Sequence, residues 1–506
     1  MTMKQLFNSM LLLLALLLPA HAYAGYDYDF KVDGVYYCYN GDNATVSVTY
    51  QYMEYDSHYE THYYSDYYGD VDIPASVTYQ GKTYTVTKIG KHAFEWSNVE
   101  TVHIPNTVTS ICDYAFCNSQ SLTGLTIPNS VICIGDSAFH YCCNMVNVTI
   151  PNSVTTIGNY AFCSCDELTD LVIPNSVTSI GSYAFYDCKG LTEIIIPNSV
   201  TDIGEGAFYY CDNLTSVTIS ESLTSISDKL FYSCSGLTSI TIPDRVTTIG
   251  SEAFAYCRGL TSLTIPGLVT TIGSKAFAYC RGFAALTIPA SVTFIGQEAF
   301  ASCAGLTSIV VESDNPVYDS RGNCNAVIET SSNKLVIGCM NTVIPATVTT
   351  LGRFAFDACS GLTSIVIPDN ITTICDGAFY FCSNLTDVYS YIVSPSLISM
   401  GYSVFYYYPS NYSRRTLYVP AGSLAAYQAD SKWSQFFGAI VEMETVQMGD
   451  ANGDGRVDVD DVTAIINMVL GEELSSFVAS AADLNGDNII DVDDVVALIK
   501  MILDAK

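Results

Sequence analysis

Two acidic phrases near the C-terminus hold the densest oxygen ligands in the chain: DANGDGRVDVDD from Asp450 and DLNGDNIIDVDD from Asp483, 33 positions apart. Calcium is a hard cation that takes about six to eight oxygens, and a loop of about 12 residues supplies them from positions 1, 3, 5, 7, 9 and 12. In the first phrase these are Asp450, Asn452, Asp454, the Arg456 carbonyl, Asp458 and Asp461. The second gives Asp483, Asn485, Asp487, the Ile489 carbonyl, Asp491 and Asp494. Gly455 and Asn488 fill position 6, where left-handed backbone is needed and Asn is the next most tolerant residue after Gly. Each phrase runs into an apolar-periodic stretch, VTAIINMVL and VVALIKMIL, so two loop-helix units holding two calcium ions are predicted.

The other chemically capable residues are cysteines. Residues 253–266, AFAYCRGLTSLTIP, recur at 276–289 as AFAYCRGFAALTIP. Cys142, Cys165, Cys188, Cys211, Cys234, Cys257, Cys280, Cys303, Cys359 and Cys382 each follow a phenylalanine by three residues, which puts ten of the 19 cysteines at one repeat position. Free cysteine behaves as a small buried hydrophobe, so this column reads as a packing spine. Serine in it is expected to cost more than alanine, because a hydroxyl would enter an apolar column. Zinc would need convergent Cys/His clusters, and Cys163/Cys165 and Cys142/Cys143 have no matching second half. A disulfide candidate lies in NCNAVIETSSNKLVIGC, where a hairpin of 326–329 against 334–337 places Cys324 opposite Cys339.

In EYDSHYETH, Glu54, Asp56, His58, Glu60 and His62 would share one face of a strand. Ligands spread along one strand do not converge on one ion, so a solvated face is the expectation. No catalytic constellation stands out, since His58, His62, His92, His103 and His140 are scattered and no segment outside the repeats and caps could house paired carboxylates. The chain is therefore read as noncatalytic.

What positions these residues is a repeat. Ile-Pro or its slot falls at Pro105, Pro128, Pro151, Pro174, Pro197, Ser220, Pro243, Pro266 and Pro289, always 23 apart, and resumes at Pro345 and Pro368. A period in the twenties marks a solenoid whose coils bury apolar residues only against their neighbours. Within one coil Ile194 and Ile196 alternate as in a strand, Pro197 stops it, Val200 and Ile203 form a second inward segment, and Ala207-Phe208 close the turn.

Residues 1–24 have the layout of a cleavable signal, with Lys4, an apolar run Leu11–Leu18 and Ala22-Tyr23-Ala24, which predicts a secreted or cell-surface protein with no membrane span. With 51 acidic and 20 basic residues and a net charge of −31, the chain is no candidate for nucleic acid.

The phrase LTxIxIPxxVTxIGxxAFxxC resembles the BspA-like, Treponema-type leucine-rich repeat family of bacterial surface proteins. The duplicated loop-helix unit, with Asp rather than Glu at position 12, resembles a type I dockerin. Together they imply a β-rich leucine-rich-repeat solenoid with a β-rich N-terminal cap and a small all-α calcium-binding dockerin. The expected boundaries are signal 1–24, cap 25–90, repeats 91–310, hairpin insertion 311–343, repeats 344–390, C-terminal cap 391–445 and dockerin 449–506. The dockerin resemblance implies a cohesin-type partner read by Val459-Asp460 and Val492-Asp493, possible membership of a polysaccharide-degrading complex, and an unidentified protein or glycan ligand for the solenoid. The alternative is a cell-surface adhesin for host or matrix proteins, its calcium module serving stability or attachment only.

Overall fold

The computed structural model describes residues 28–55, 61–407, 412–443, 448–472, 477–484 and 489–504, which leaves the expected signal segment outside. The chain forms two compact units, one running up to Val388 with Leu397–Tyr412, the other made of Tyr389–Ser396 with Ser413 onward.

In the first unit most coils contribute a short strand whose outward residue is polar and whose inward residue is isoleucine; Phe294 stands outward in one coil and Leu351 inward in another. Ser110–Ile111, Cys133–Ile134, Thr156–Ile157, Ser179–Ile180 and Asp202–Ile203 pair in parallel with a constant offset of one coil. Every one of these isoleucines is buried. The glycine that follows is required by close approach: a Cβ on Gly181 would sit 2.5 Å from the Asn159 nitrogen. Its N–H donates to the coil before it, as Gly204 does to the Ile180 carbonyl at 2.8 Å.

Ser227 occupies this glycine slot, and there the pattern changes. Its hydroxyl donates to the Ile203 carbonyl, and a new sheet starts at Ser225–Ile226. Ser220, in the proline slot of the same coil, donates its hydroxyl to the Val200 carbonyl at 2.7 Å. Side-chain hydroxyls thus bridge coils where main-chain pairing lapses.

The N-terminal cap is continuous with the repeats. Phe30–Val32, Val35–Tyr39 and Thr45–Val48 form an antiparallel meander, and Thr45–Val48 pairs in parallel with Lys82–Ile89. Lys82–Ile89 pairs with Ser110–Ile111, so it is also the first rung of the ladder. Glu54 and His62 are not on one strand: Tyr52–Tyr55 and Thr61–Tyr64 are antiparallel with Glu54 opposite His62. Asp56, His58 and Glu60 lie outside the described residues.

The third side of each coil is the AF turn. Alternate N–H groups donate to the next coil, as Tyr160, Phe162 and Ser164 do to the carbonyls of Ser182, Ala184 and Tyr186 at 2.7 to 2.9 Å. The intervening N–H groups close turns within their own coil, as Cys163 does on Tyr160. This alternation places two residues per turn at positive φ, Tyr160 at 54° and Ser164 at 56° among them. Beneath the turn the phenylalanines stack from Phe94 through Phe300 with centroids 4.9 to 5.7 Å apart.

The spine cysteines are more than hydrophobes. Nine of the ten thiols donate to the carbonyl of the phenylalanine one coil back, Cys257 to Phe231 at 3.0 Å and Cys280 to Phe254 at 3.1 Å among them, and Cys359, after the hairpin, donates to the Gly338 carbonyl instead. Burial pushes the thiols up, Cys211 and Cys303 to about 12, which keeps them protonated donors and poor nucleophiles. Ser119, standing where the spine cysteine would be, makes the same bond to Phe94 at 2.6 Å. This revises the expectation for serine, since the column contains a carbonyl that a hydroxyl can satisfy.

In the hairpin, Ala326–Glu329 pairs with Lys334–Gly338, but a bulge after Val327 shifts the register. The expected Cys324–Cys339 disulfide is thereby corrected: Ala326 faces Gly338, extension of that register sets Cys324 one residue past Cys339, and all the cysteines are free. Lys334–Gly338 also pairs with Thr350–Leu351, so the hairpin strand takes the place of a rung.

In the second unit, Thr416–Val419 pairs in parallel with Ala439–Glu442 beside helices α1 (Leu424–Ala429) and α2 (Ser431–Ser434). Helices α3 (Val459–Val469), α4 (Ala479–Ala482) and α5 (Val492–Asp504) follow.

Cys257→Ala removes a donor and leaves a void, and is expected to destabilise by about 1–3 kcal/mol. Cys257→Ser keeps the bond to Phe231 and should cost less. Shifts in urea midpoint check the order, and serine costing more than alanine would contradict the bonded-spine account.

Candidate calcium loops and the helices they cap

Asp450 and Asp461 organise the first loop from opposite ends. Asp450 accepts from the N–H groups of Asp454 at 3.0 Å and Gly455 at 2.8 Å. Asp461, fully buried, accepts from Asn452 N–H at 3.0 Å and Asp458 N–H at 2.8 Å. Gly455 has φ of 84°, the left-handed turn that position 6 needs. Asn452 and Asp454 accept from N–H groups two residues on, which winds the loop around its own side-chain oxygens.

The same aspartates start the helices. Asp458 caps α3 by accepting from Asp460 N–H, and its own N–H goes back to Asp461, a reciprocal capping box. In the second loop Asp494, also fully buried, accepts from Leu484 N–H at 2.8 Å and Asp491 N–H at 3.0 Å. Asp491 accepts from Asp493 N–H at 2.8 Å. Position 12 therefore ties loop to helix in both halves. The D-x-x-D spacing carried that signal, which reading the loops as ligand sets alone overlooks.

Asp450, Asn452, Asp454 and Asp458 lie in one loop and Asp461 in the first turn of α3, with the exposed Arg456 as the loop's sole basic residue. Of the second set, Asp483, Ile489, Asp491 and Asp494 are described, while Asn485 and Asp487 lie outside the described residues. The residue types at these positions, Asp and Asn, are the hard-oxygen donors that calcium takes. Among the described residues, those of the loops included, no three His, Cys, Asp or Glu side chains are gathered closely enough to hold a metal ion.

Between the loops sits a core of Ala451, Ala464, Ile465, Ala482, Val495 and Leu498. The opposite helix faces are exposed and apolar. On α3 and its C-cap they carry Val459, Ile466 and Leu470, and on α5 Val492, Val496, Ile499 and Leu503, with Thr463 standing where α5 has Val496. The two stripes are related by the same 33-residue offset as the loops. Val459, Asp460, Val492 and Asp493, expected to meet a partner, are exposed in the first helical turns that open these stripes.

Residues 87–215, 201–321 and 331–416 match the BspA type leucine rich repeat region, in six copies, and residues 448–503 match the dockerin type I domain. No curated protein matches. A leucine-rich repeat protein from Bacteroides ovatus is similar in structure, with TM-score 0.60 and 25% identity over 82% of this chain and 100% of that one. A leucine rich cell surface protein from Faecalibacterium prausnitzii gives 0.44 at 25% identity, covering 71% and 94%. The T. pallidum leucine rich repeat protein gives 0.34 at 25%, covering 46% and 90%. Type I dockerin domains bind calcium.

Calcium that binds the folded loops and not the open chain stabilises them by about 2.7 kcal/mol at a hundredfold excess over its dissociation constant. Replacing Asp450 and Asp483 together with alanine is expected to abolish that gain and leave the β-type signal of the repeats unchanged. Circular dichroism melting of the full chain with calcium and with chelator reads both, and an identical helical transition in the two conditions would contradict it.

Proposed function

Because the chain belongs to the BspA-type leucine-rich repeat family and carries a type I dockerin domain, we propose that it is a secreted, noncatalytic binding protein. Its dockerin docks the repeat surface onto a cohesin-bearing scaffold, in the setting of a polysaccharide-degrading complex. The observation that carries this reading is the pair of exposed apolar stripes on α3 and α5. Ile466 and Ile499 occupy corresponding positions, so either helix can present the same face to one cohesin, giving two binding orientations.

Two calcium ions, one per loop, hold the stripes in place, because Asp461 and Asp494 fix the helix starts from which the stripes run. Support for a noncatalytic role comes from the families themselves, which are in general without catalysis. Export is supported by the signal-like sequence of residues 1–24 and by the absence, among the described residues, of any helix long and apolar enough to cross a membrane.

Immobilised cohesin modules test the reading directly. Capture is expected with calcium and not with chelator. Ile466→Asp or Ile499→Asp alone should leave capture through the other face, and the double variant should lose at least about tenfold in affinity, near 1.4 kcal/mol. A calcium-loaded chain that no cohesin captures would favour the adhesin instead. The same preparation is expected to release no reducing sugar from polysaccharides beyond a heat-killed control.

A further inference from the structure

The turn ladder of the repeats is broken once. Before the break, Lys275, Phe277 and Tyr279 donate to the carbonyls of Gln297, Ala299 and Ala301 at 2.8 to 2.9 Å. After it, Phe354, Phe356 and Ala358 donate to Asp376, Ala378 and Tyr380 at 2.8 to 3.1 Å. Between them, the N–H groups of Glu298, Phe300 and Ser302 meet no carbonyl among the described residues. On the facing coil only the Ala355 carbonyl is taken, by Gly338 N–H at 2.7 Å, and those of Arg353 and Asp357 receive none. The hairpin strand supplies a rung to the sheet but a single residue, Gly338, to the turn face.

Side chains span part of the gap. Ser302 Oγ donates to Asp357 Oδ2, and Arg353 lies 3.6 Å from Glu298. Three cavities of about 130, 230 and 570 Å³ open here, and Asp357 lines all of them. The second is floored by Ala255, Ala278 and Ala301, in the column where neighbouring coils carry Tyr186, Tyr209, Tyr232 and Tyr380. The repeated phrase AFAYCRG thus places a methyl where a ring would otherwise fill the trough.

We propose that this interruption is a peptide-binding site, in which an extended partner segment completes the main-chain ladder and sets a lysine or arginine side chain against Asp357. The inference rests on the reading of the repeats as a binding surface and narrows it to one place. Unmatched amides and carbonyls on facing coils suit a peptide, because its own main chain alternates donors and acceptors in the same way. A cation suits the pocket because Asp357 is buried and accepts only from Ser302 among the described residues. Tyr279, Tyr380 and Phe354 add ring faces that attract a cation. Of the nearby bases, Lys275 and Arg353 are drawn to Glu298, at 3.7 and 3.6 Å, and Arg281 lines the third cavity with Asp357 but makes no ion pair with it among the described residues.

Burial pushes the Asp357 carboxyl up to about 6, with the Ser302 bond and Arg281 opposing and Glu298 adding to the rise. Tyr279, Tyr380, Cys303 and Cys359 also face it and stay protonated, their pKa values raised by burial. A basic side chain binds the ionised form, so affinity should fall as pH drops through about 6.

The experiment pans a display library of random linear peptides on the calcium-loaded full chain at neutral pH. Enriched peptides are expected to share a lysine or arginine. Replacing that residue with norleucine, or the protein's Asp357 with Asn, should each cost at least about tenfold in affinity, as should lowering the pH from 7 to 5. Ala278→Tyr, which restores the ring of neighbouring coils, should block binding with little change in melting. Peptides indifferent to D357N, to A278Y and to pH would overturn this site while leaving a binding surface elsewhere on the repeats. No enrichment would overturn the inference itself, and glycans whose binding is lost in both variants would replace it with a carbohydrate site. Cohesin capture should be unchanged in both variants, which separates this outcome from that of the dockerin.

Discussion

Everything in the repeat unit depends on one constraint: the hydrogen bonds that leave a coil must be met by the coil beside it. An isolated coil of 23 residues would expose nearly all its amides, and its strands are two to four residues long, far too short to persist alone. Stacking supplies these partners together, save at the one interruption between Phe300 and Phe356, and sets isoleucine on isoleucine and phenylalanine on phenylalanine. The register cannot slip by one residue without sending that whole apolar set outward. This is why the period is strict while the outward residues drift freely.

The same constraint explains where drift is not free. Glycine follows the inward isoleucine because the coil beneath leaves no room for a Cβ, and when Ser227 intrudes the sheet divides. A second bonding layer then matters. Ser227, Ser220 and the cysteine column all lend side-chain hydrogen to carbonyls of the coil behind. Because a sulfur donor is weaker than a hydroxyl but fills more space, cysteine serves packing and pairing together, and Ser119 shows that pairing alone suffices near the cap.

Period, strand and turn were legible in the sequence because each rests on a local pattern that a neighbour repeats. The hairpin register was not. Ala326–Glu329 and Lys334–Gly338 were legible as strands, but the bulge after Val327 follows from the need to pair Lys334–Gly338 with Thr350–Leu351, a contact across sequence that no local pattern announces. The acid/His phrase differs for a related reason, since Tyr52–Tyr55 and Thr61–Tyr64 are separate antiparallel strands with Glu54 opposite His62 in register, which ends the single-strand face. In the loops the left-handed turn at Gly455 was legible from composition and spacing. The double duty of Asp461 and Asp494 became apparent only once both of their oxygens were seen to hold main-chain N–H groups.

Charge follows the same division of labour. The segment from Asp450 to the end holds thirteen of the 51 acidic residues and only three of the 20 basic ones, although it is about a tenth of the chain. The repeats hold their coils together with neutral main-chain pairing and apolar stacking, forces that salt and divalent ions barely touch. The terminal module concentrates like charges in loops whose repulsion main-chain N–H groups offset in part and a bound cation would offset further. On the function proposed above, one part would be indifferent to calcium and the other gated by it. Calcium concentration can thus decide whether the helix stripes are presented without altering the repeat surface they would carry.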